Sequence, residues 1–233
     1  MKLIISGATG FLGTELVRQS LRMPAVTSVI ALGRRPVTLP DGAEGALKLK
    51  NVVVEEFGAY ADDVRKQFEG ANACIWTIAI TPTKAKTVTP DYVKLVSQTY
   101  AVGFLKVLSE CSPAKPFRYL YVSGAAAERD QTKKPMIMPE YVLMRGEAEN
   151  LLLRIAEESK GTLDVSIAKP GLILKPGMSM RTMASSVATA IGLFPSVGVV
   201  QCAAAMLDQA VNGFEKETLW NSDLQSIGGK VLQ

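Results

Sequence analysis

Residues 2–13 read KLIISGATGFLG, an apolar run that passes directly into a glycine-rich turn and then into a segment of helical periodicity. Gly7, Gly10 and Gly13 recur in this turn at three-residue intervals. In a strand–turn–helix unit, the first glycine permits the tight turn and the second lets the backbone approach a phosphate. The third lets the helix pack closely on the strand, and the helix N-terminus offers unpaired N–H groups to an anion. The stretch therefore predicts a phosphate-binding βα unit.

Apolar runs alternate along the whole chain with longer stretches of helical periodicity. Most of the runs are apolar throughout, which is typical of strands buried on both faces, and their order predicts right-handed βαβ units in a parallel sheet. We expect strands at 2–6, 28–32, 51–56, 73–78, 118–123 and 165–169, and helices near 11–22, 59–68, 91–110 and 140–159. The pattern predicts an α/β protein with a doubly wound parallel sheet of the Rossmann type, in one domain over 1–233.

The pattern changes after Lys169-Pro170-Gly171, where helical stretches near 180–193 and 201–213 precede a short tail. We expect 172–233 to form a small C-terminal substrate lobe that covers one end of the sheet. Its apolar side chains suit the wall of a site for a hydrophobic molecule, although core packing, which we favour, and a dimer face are alternatives. These side chains are Met178, Met180, Met183, Ile191, Leu193, Phe194 and Met206.

The composition limits the classes of function. Apolar residues make up 48% and charged residues 21% of the 233-residue chain, which indicates a globular protein. The net charge of +4 includes no basic run longer than a pair, so we expect no nucleic-acid partner. We expect no membrane span, and three cysteines without CxxC spacing favour the cytoplasm. The chain has no histidine, which excludes histidine-based triads and histidine metal sites, and we expect no metal.

Two adjacent arginines follow the second predicted strand. Arg34 lies 21 residues beyond Gly13, where a site selective for NAD would place an acid for the ribose 2′-hydroxyl. Guanidinium groups suit a 2′-phosphate instead, because they bind phosphate through charge-assisted and often bidentate hydrogen bonds. Arg34 and Arg35 therefore predict NADP(H) as the cofactor, the alternative being a solvated surface pair.

Four segments together resemble the extended or atypical short-chain dehydrogenases/reductases: Ser6–Gly13, Tyr121-Val122-Ser123, Tyr141-x-x-x-Arg145 and Lys169-Pro170-Gly171. Within that superfamily the chain is similar to small fungal NAD(P)-binding, epimerase/dehydratase-like proteins, some of them associated with secondary metabolism. The resemblance implies cofactor contacts from Gly7, Thr9, Gly10, Phe11, Leu12, Gly13, Arg34, Arg35, Thr77, Ile78, Ala79, Lys169, Pro170 and Gly171.

The resemblance also implies a catalytic set of Ser123, Tyr141 and the residue four positions after the tyrosine. In the family that residue is a lysine, which lowers the pKa of the tyrosine and holds the nicotinamide ribose. Here it is Arg145, which shares a helix face with Tyr141 and can act on the phenol by charge, but cannot release a proton. The alternatives are a half-buried Tyr141, a surface Arg145 and an ordinary polar strand end at Ser123.

A second departure from the family pattern is at Tyr100, where many members carry an asparagine that supports a water-linked proton path. We favour a packing role for Tyr100, and likewise for Trp76 at the end of the fourth strand. Lys169 has an alternative as a simple charge at a strand end.

Three functions agree with these residues. The first is an NADP(H)-dependent oxidoreductase acting on a carbonyl or hydroxyl of a small, hydrophobic organic molecule. The second is a non-catalytic NADP-binding regulator, and the third is an isomerase, epimerase or cyclase that uses the same pocket without net redox. For partners we expect a small-molecule substrate and a monomer or homodimer.

Overall fold

A computed structural model describes residues 1–111, 113–177 and 195–233. The predicted helix near 180–193 lies outside these residues, as do Met178, Met180, Met183, Ile191, Leu193 and Phe194. Among the described residues, no helix combines the length and the apolar character that crossing a bilayer requires.

Seven parallel strands form the central sheet in the order β3-β2-β1-β4-β5-β6-β9. Their bounds are β1 Lys2–Ser6, β2 Ser28–Gly33, β3 Leu49–Val53, β4 Ala73–Trp76, β5 Phe117–Val122, β6 Leu163–Lys169 and β9 Thr218–Trp220. A separate parallel pair is made by β7 Leu172–Leu174 and β8 Ser196–Gly198. The strand order reverses direction between β1 and β4, where a ligand crevice is expected in such sheets. The predicted Rossmann-type α/β fold is confirmed.

Eight helices are described: α1 Phe11–Arg22, α2 Asp62–Lys66, α3 Pro82–Ala85, α4 Pro90–Lys94, α5 Tyr100–Glu110, α6 Pro139–Glu158, α7 Val199–Asn212 and α8 Asn221–Val231. A π-helical turn, Leu95–Thr99, joins α4 to α5, so the helix predicted over 91–110 is interrupted. Side chains of α1 and α7 share one core with the sheet, and side chains of α5 and α6 share the other.

The apolar character of the strands follows from these two cores. In β1, Leu3 and Ile5 pack in the core that contains α1, whereas Ile4 packs in the core that contains α5, and none of the three is exposed. A strand covered on both faces needs apolar side chains at successive positions, which explains the unalternating pattern.

The described parts of 172–233, which are 172–177 and 195–233, pack against the central sheet and its helices. Helix α7 packs against α1 and against the sheet beside β4, and β9 pairs with β6. These residues therefore help to complete the layers of the sheet, and the substrate-covering role of 172–233 stays a prediction. The small side chains Ala203, Ala204 and Ala205, all buried, allow α7 to lie close to its neighbours. Met206 is fully buried among them, so its assignment to the core is confirmed.

Candidate functional site

The glycine turn after β1 is shaped by contacts that leave no space for side chains. Gly7 has a φ of +70°, and a Cβ atom there would meet the Thr77 hydroxyl. A Cβ atom at Gly13 would collide with the carbonyl oxygen of Gly7. No side chain caps the N-terminus of α1, which begins at Phe11. The turn is thus a cradle of backbone, and the uncapped N–H groups at the start of α1 fit the phosphates of a dinucleotide.

Substitution of Gly13 by alanine is expected to disturb both folding and cofactor binding. The added methyl group must displace backbone rather than a flexible side chain, so a loss of about 1–3 kcal/mol in unfolding free energy is expected. Gly103→Ala is a matched control, because Gly103 lies on an exposed part of α5 with open space around its Cβ position. That control should be stabilised by up to about 1 kcal/mol. Denaturant unfolding measures the free energy of unfolding of both variants. A Gly13→Ala protein that is as stable as the Gly103→Ala control would contradict the close packing at Gly13.

The predicted contacts at the ends of β2 and β4 lie at the same edge of the sheet as the glycine turn. Arg34 and Arg35 are exposed directly beyond β2, and neither forms an ion pair with any residue that the structure describes. Thr77 donates its hydroxyl hydrogen to the Ser6 carbonyl at 2.6 Å and so fastens β4 to β1. Ile78 and Ala79 follow it, both half-buried.

The aromatic side chains assigned to the core lie there. Trp76 is fully buried and donates its indole N–H to the Ile78 carbonyl at 3.0 Å. Tyr100 is 7% exposed and its ring packs against Phe57. The packing roles predicted for Trp76 and Tyr100 are confirmed.

Tyr141 lies in the first turn of α6, half-buried, with its hydroxyl at the carboxyl end of the sheet. That hydroxyl donates a hydrogen bond to the Ile80 carbonyl at 2.9 Å. Burial raises the pKa of the phenol above 10, and the positive charge of Arg145 opposes this shift. The phenol is therefore protonated at neutral pH, and in this arrangement its one hydrogen is donated to the Ile80 carbonyl.

Arg145 is buried rather than on the surface, with 3% exposure. Its guanidinium donates to the carbonyls of Val122 at 2.8 Å and Ser97 at 3.2 Å, and lies over the Tyr121 ring at 5.0 Å. Ser97 belongs to the π-helical turn, which periodicity did not predict. The surface alternative for Arg145 is thus wrong. The guanidinium is held by backbone and protein side chains and acts on Tyr141 through its charge.

Ser123 follows β5 and donates its hydroxyl hydrogen to a carboxylate oxygen of Glu149. A serine hydroxyl has one hydrogen, so in this arrangement Ser123 cannot also donate to a substrate oxygen. The structure consequently places Ser123 and Tyr141 at the same end of the sheet but gives their hydroxyls different partners.

Glu149 is a residue of this site that sequence reasoning missed. It is fully buried, accepts from Lys169 at 3.0 and 3.1 Å, and accepts from Arg129 at 2.7 Å. The signal was available, because Glu149 follows Arg145 by four residues and Tyr141 by eight on one helix face.

Lys169 is 2% exposed and uses its ammonium group within the protein. Besides Glu149 it donates to the Ala127 carbonyl at 2.7 Å, and it lies over the Trp220 ring at 5.1 Å. Burial lowers its pKa, while the charge of Glu149 opposes this shift. The alternative of a simple strand-end charge is wrong, because the ammonium group is buried and bound to protein groups, and the cofactor contact of Lys169 stays a prediction. Pro170 and Gly171 continue the chain past the sheet end, where the Asn221 side chain accepts from the Gly171 N–H at 3.0 Å.

Within the described ranges, no group of three or more cysteine, aspartate or glutamate side chains is placed to hold a metal ion. The groups at the site are the Tyr141 phenol, the fixed Arg145 guanidinium, the backbone cradle of the glycine turn and the buried Glu149 carboxylate with its two cationic partners.

No family model matches the chain. It is 25% identical over 128 residues to the leucinostatins biosynthesis cluster protein T of Purpureocillium lilacinum, a match that covers 53% of this chain and 42% of that protein. It is 24% identical over 192 residues to the mitochondrial protein FMP52 of Candida albicans, covering 82% of this chain and 76% of that protein.

Solved structures share the fold over nearly the whole chain. The reductase domain of PhqB from Penicillium fellutanum has a TM-score of 0.71 at 17% identity, covering 97% of this chain and 68% of that one. DesIV from Streptomyces venezuelae, a dTDP-glucose 4,6-dehydratase solved with NAD and TYD bound, has a TM-score of 0.69 at 15% identity, covering 100% and 80%. Vestitone reductase from alfalfa has a TM-score of 0.65 at 18% identity, covering 94% and 76%. At these identities the likeness shows the fold, and this is the fold that the sequence resemblance implied.

Proposed function

We propose that this chain, which shares its fold with reductases, dehydratases and epimerases of the extended short-chain dehydrogenase/reductase type, is an NADP(H)-dependent oxidoreductase. Its substrate is the carbonyl or hydroxyl group of a small, hydrophobic organic molecule, and secondary metabolism is the proposed setting. The observation that carries the proposal is the backbone cradle of Gly7 and Gly13 on the sheet edge that also holds the Tyr141 phenol.

The residues that would hold the dinucleotide lie around this cradle. The N–H groups of Phe11, Leu12 and Gly13 begin α1 without a side-chain cap and suit the pyrophosphate. The ends of β4 and β6 would line the remaining length. When bound, the cofactor supplies or accepts a hydride.

The proposed chemistry of the protein is proton transfer at the substrate oxygen. In the reductive direction the Tyr141 hydroxyl turns from the Ile80 carbonyl to the substrate oxygen and donates its one proton as negative charge develops there, which neutralises the product alkoxide. The buried Arg145 stabilises the phenolate that remains, because its charge stays fixed by two backbone carbonyls. Ser123 contributes a hydrogen bond to the substrate oxygen only if its hydroxyl turns away from Glu149.

Selectivity for NADP(H) is proposed on the two exposed guanidiniums. Arg34→Ala is expected to weaken NADPH binding about tenfold or more, because a charge-assisted phosphate contact contributes at least about 1.4 kcal/mol. NADH affinity should stay within about threefold, since NADH lacks the 2′-phosphate. Arg154→Ala is the matched control, an exposed arginine on α6. Calorimetric titration of both cofactors decides, and equal losses for NADPH and NADH would contradict the assignment.

A non-catalytic NADP-binding role is the second candidate, and the commitment of Ser123 to Glu149 favours it. This role predicts saturable NADPH binding with no change of NADPH absorbance across a panel of ketones and aldehydes. The structural neighbours include a dehydratase and an epimerase, so conversion of a substrate without net redox is a further possible outcome of that assay. Product analysis by mass spectrometry at constant NADPH absorbance would identify it.

The compartment and the assembly are proposals as well. Cys74, Cys111 and Cys202 are unpaired and buried, which is compatible with the reducing cytoplasm that we propose. The name of the FMP52 relative describes that protein as mitochondrial. Cell fractionation would test the proposed cytoplasmic location of this chain against a mitochondrial one. We propose a monomer or homodimer that acts on a small molecule without nucleic acid or membrane.

A further inference from the structure

A phenol–carboxylate hydrogen bond lies at the edge of the sheet beside the two arginines proposed to bind the 2′-phosphate. The Tyr100 hydroxyl donates to a carboxylate oxygen of Glu56 at 2.6 Å. Neither residue belongs to the proposed proton-transfer set. Glu56 lies in the loop that follows β3, three residues beyond Val53.

The topology brings Glu56 and Arg34 to one edge. Strands β2 and β3 are parallel neighbours, and the Val54 N–H donates to the Gly33 carbonyl at 3.0 Å, immediately before Arg34. Glu56 lies two residues beyond Val54, and the side chains of Glu56, Arg34 and Arg35 are all exposed. An exposed carboxylate at this edge can turn toward the guanidiniums, where it would compete with a phosphate for the same donors.

The Tyr100 ring is fixed by its surroundings, whereas the Glu56 side chain is exposed. The Tyr100 ring packs on Phe57 with 6.2 Å between ring centroids, and the backbone passes it closely at Gly58, where a Cβ atom would lie 3.3 Å from the ring. The hydrogen bond to Glu56, followed by burial, raises the pKa of Tyr100 to about 12, while the charge of Arg34 acts in the opposite direction. Tyr100 is thus a protonated hydrogen-bond donor at neutral pH. It lies close enough to Arg34 for the charge of Arg34 to act on its pKa.

We propose that Tyr100 determines cofactor selectivity by holding the Glu56 carboxylate away from Arg34 and Arg35, which leaves both guanidiniums free for the 2′-phosphate of NADP(H). This inference rests on the proposed NADP(H) preference and adds a residue that enforces it. Tyr100 acts through Glu56 and is a positioning residue, since it needs no contact with the cofactor.

The test is a double-mutant cycle of Tyr100→Phe and Glu56→Gln, with dissociation constants for NADPH and NADH measured by calorimetry. Tyr100→Phe keeps the ring and removes only the hydroxyl, so Glu56 loses its donor and turns to the arginines. We expect NADPH to bind about tenfold more weakly and NADH to stay within about twofold. In the Glu56→Gln background, the same Tyr100 substitution should leave NADPH binding unchanged, because no carboxylate remains to compete.

Three results would overturn the inference. Equal weakening of NADPH and NADH by Tyr100→Phe would mean that the hydroxyl supports only packing. A loss of NADH affinity alone on Glu56→Gln would make Glu56 a ribose ligand instead. An unchanged NADPH affinity in Tyr100→Phe would show that Glu56 does not need to be held. If the unaltered protein binds neither dinucleotide, the proposed function itself falls, so the two failures are distinguishable. Melting temperatures of all variants identify any that fail to fold.

Discussion

Tyr141→Phe is expected to lower the rate of NADPH oxidation with a substrate by at least about 100-fold, while NADPH affinity stays within about twofold. The substitution removes the one proton that Tyr141 donates, and it preserves the ring that packs between α6 and the Ile80 segment. Tyr92→Phe is the matched control, because Tyr92 is 40% exposed on α4. Steady-state turnover and calorimetric NADPH titration are the two measurements.

The pH dependence of this reaction follows from the direction of the Tyr141 pKa. Reduction requires the protonated phenol, and burial raises the pKa above 10, so the rate should be flat through neutral pH and fall only in the alkaline range. Oxidation requires the phenolate, so its rate should rise with pH over the same range. In Arg145→Met the opposing charge is lost, and both transitions should move to higher pH. Turnover of Tyr141→Phe equal to that of the unaltered protein would eliminate Tyr141 as the proton donor.

Glu149→Gln is expected to destabilise the protein by about 3–5 kcal/mol, because it removes the negative charge from a buried ion pair and leaves Lys169 uncompensated. Lys169 is 2% exposed and cannot reach solvent without local unfolding. Glu157→Gln, an exposed position on the same helix, is the matched control and should change stability by less than about 0.5 kcal/mol. Guanidinium or urea unfolding near neutral pH measures both variants.

The stability that Glu149→Gln loses should also depend on pH, and the direction follows from the lowered pKa of Lys169. Burial already lowers the pKa of Lys169 below 10.5, and without Glu149 the pKa should fall further. Between the folded pKa and the unfolded value the unfolded chain binds more protons, so stability rises with pH in that window. The deficit of Glu149→Gln should consequently shrink as the pH is raised toward 10.5, and in Glu149→Leu with Lys169→Met much of it should be recovered. A deficit that is independent of pH, with no recovery in the double variant, would show that the charges are not its cause.

The local elements of the cofactor turn were predictable from the sequence to the residue. Strand Lys2–Ser6 and helix Phe11–Arg22 match the expected bounds, because a continuous apolar run, glycines at fixed spacing and a helical period are all local signals. Six of the seven strands of the sheet were predictable for the same reason, and β9 was not. The strand predicted at 51–56 is found at Leu49–Val53, because its bounds are set by the ladder with β2, which pairs Leu49 with Val29 and Val53 with Gly33.

The candidate site was predictable only as a set of positions. Ser123, Tyr141 and Arg145 could be named from spacing, but the contacts that decide their chemistry come from other elements. Arg145 finds its acceptors on a π-helical turn and on β5. The partner of Ser123 is two helical turns beyond Tyr141. Such hydrogen bonds depend on how layers pack, and no period in the sequence records that packing.

By itself, then, the sequence determined the strand–glycine–helix unit, the parallel α/β class and the absence of histidine chemistry, because each of these is local or compositional. Only the tertiary structure decided that 199–231 completes the layers of the sheet, since β9 has three residues and pairs with β6 across about 50 positions of chain. The tertiary structure also decided which charges are buried. Lys169 and Glu149 can leave water only because folding places each beside the other, and that placement is a property of the packed molecule.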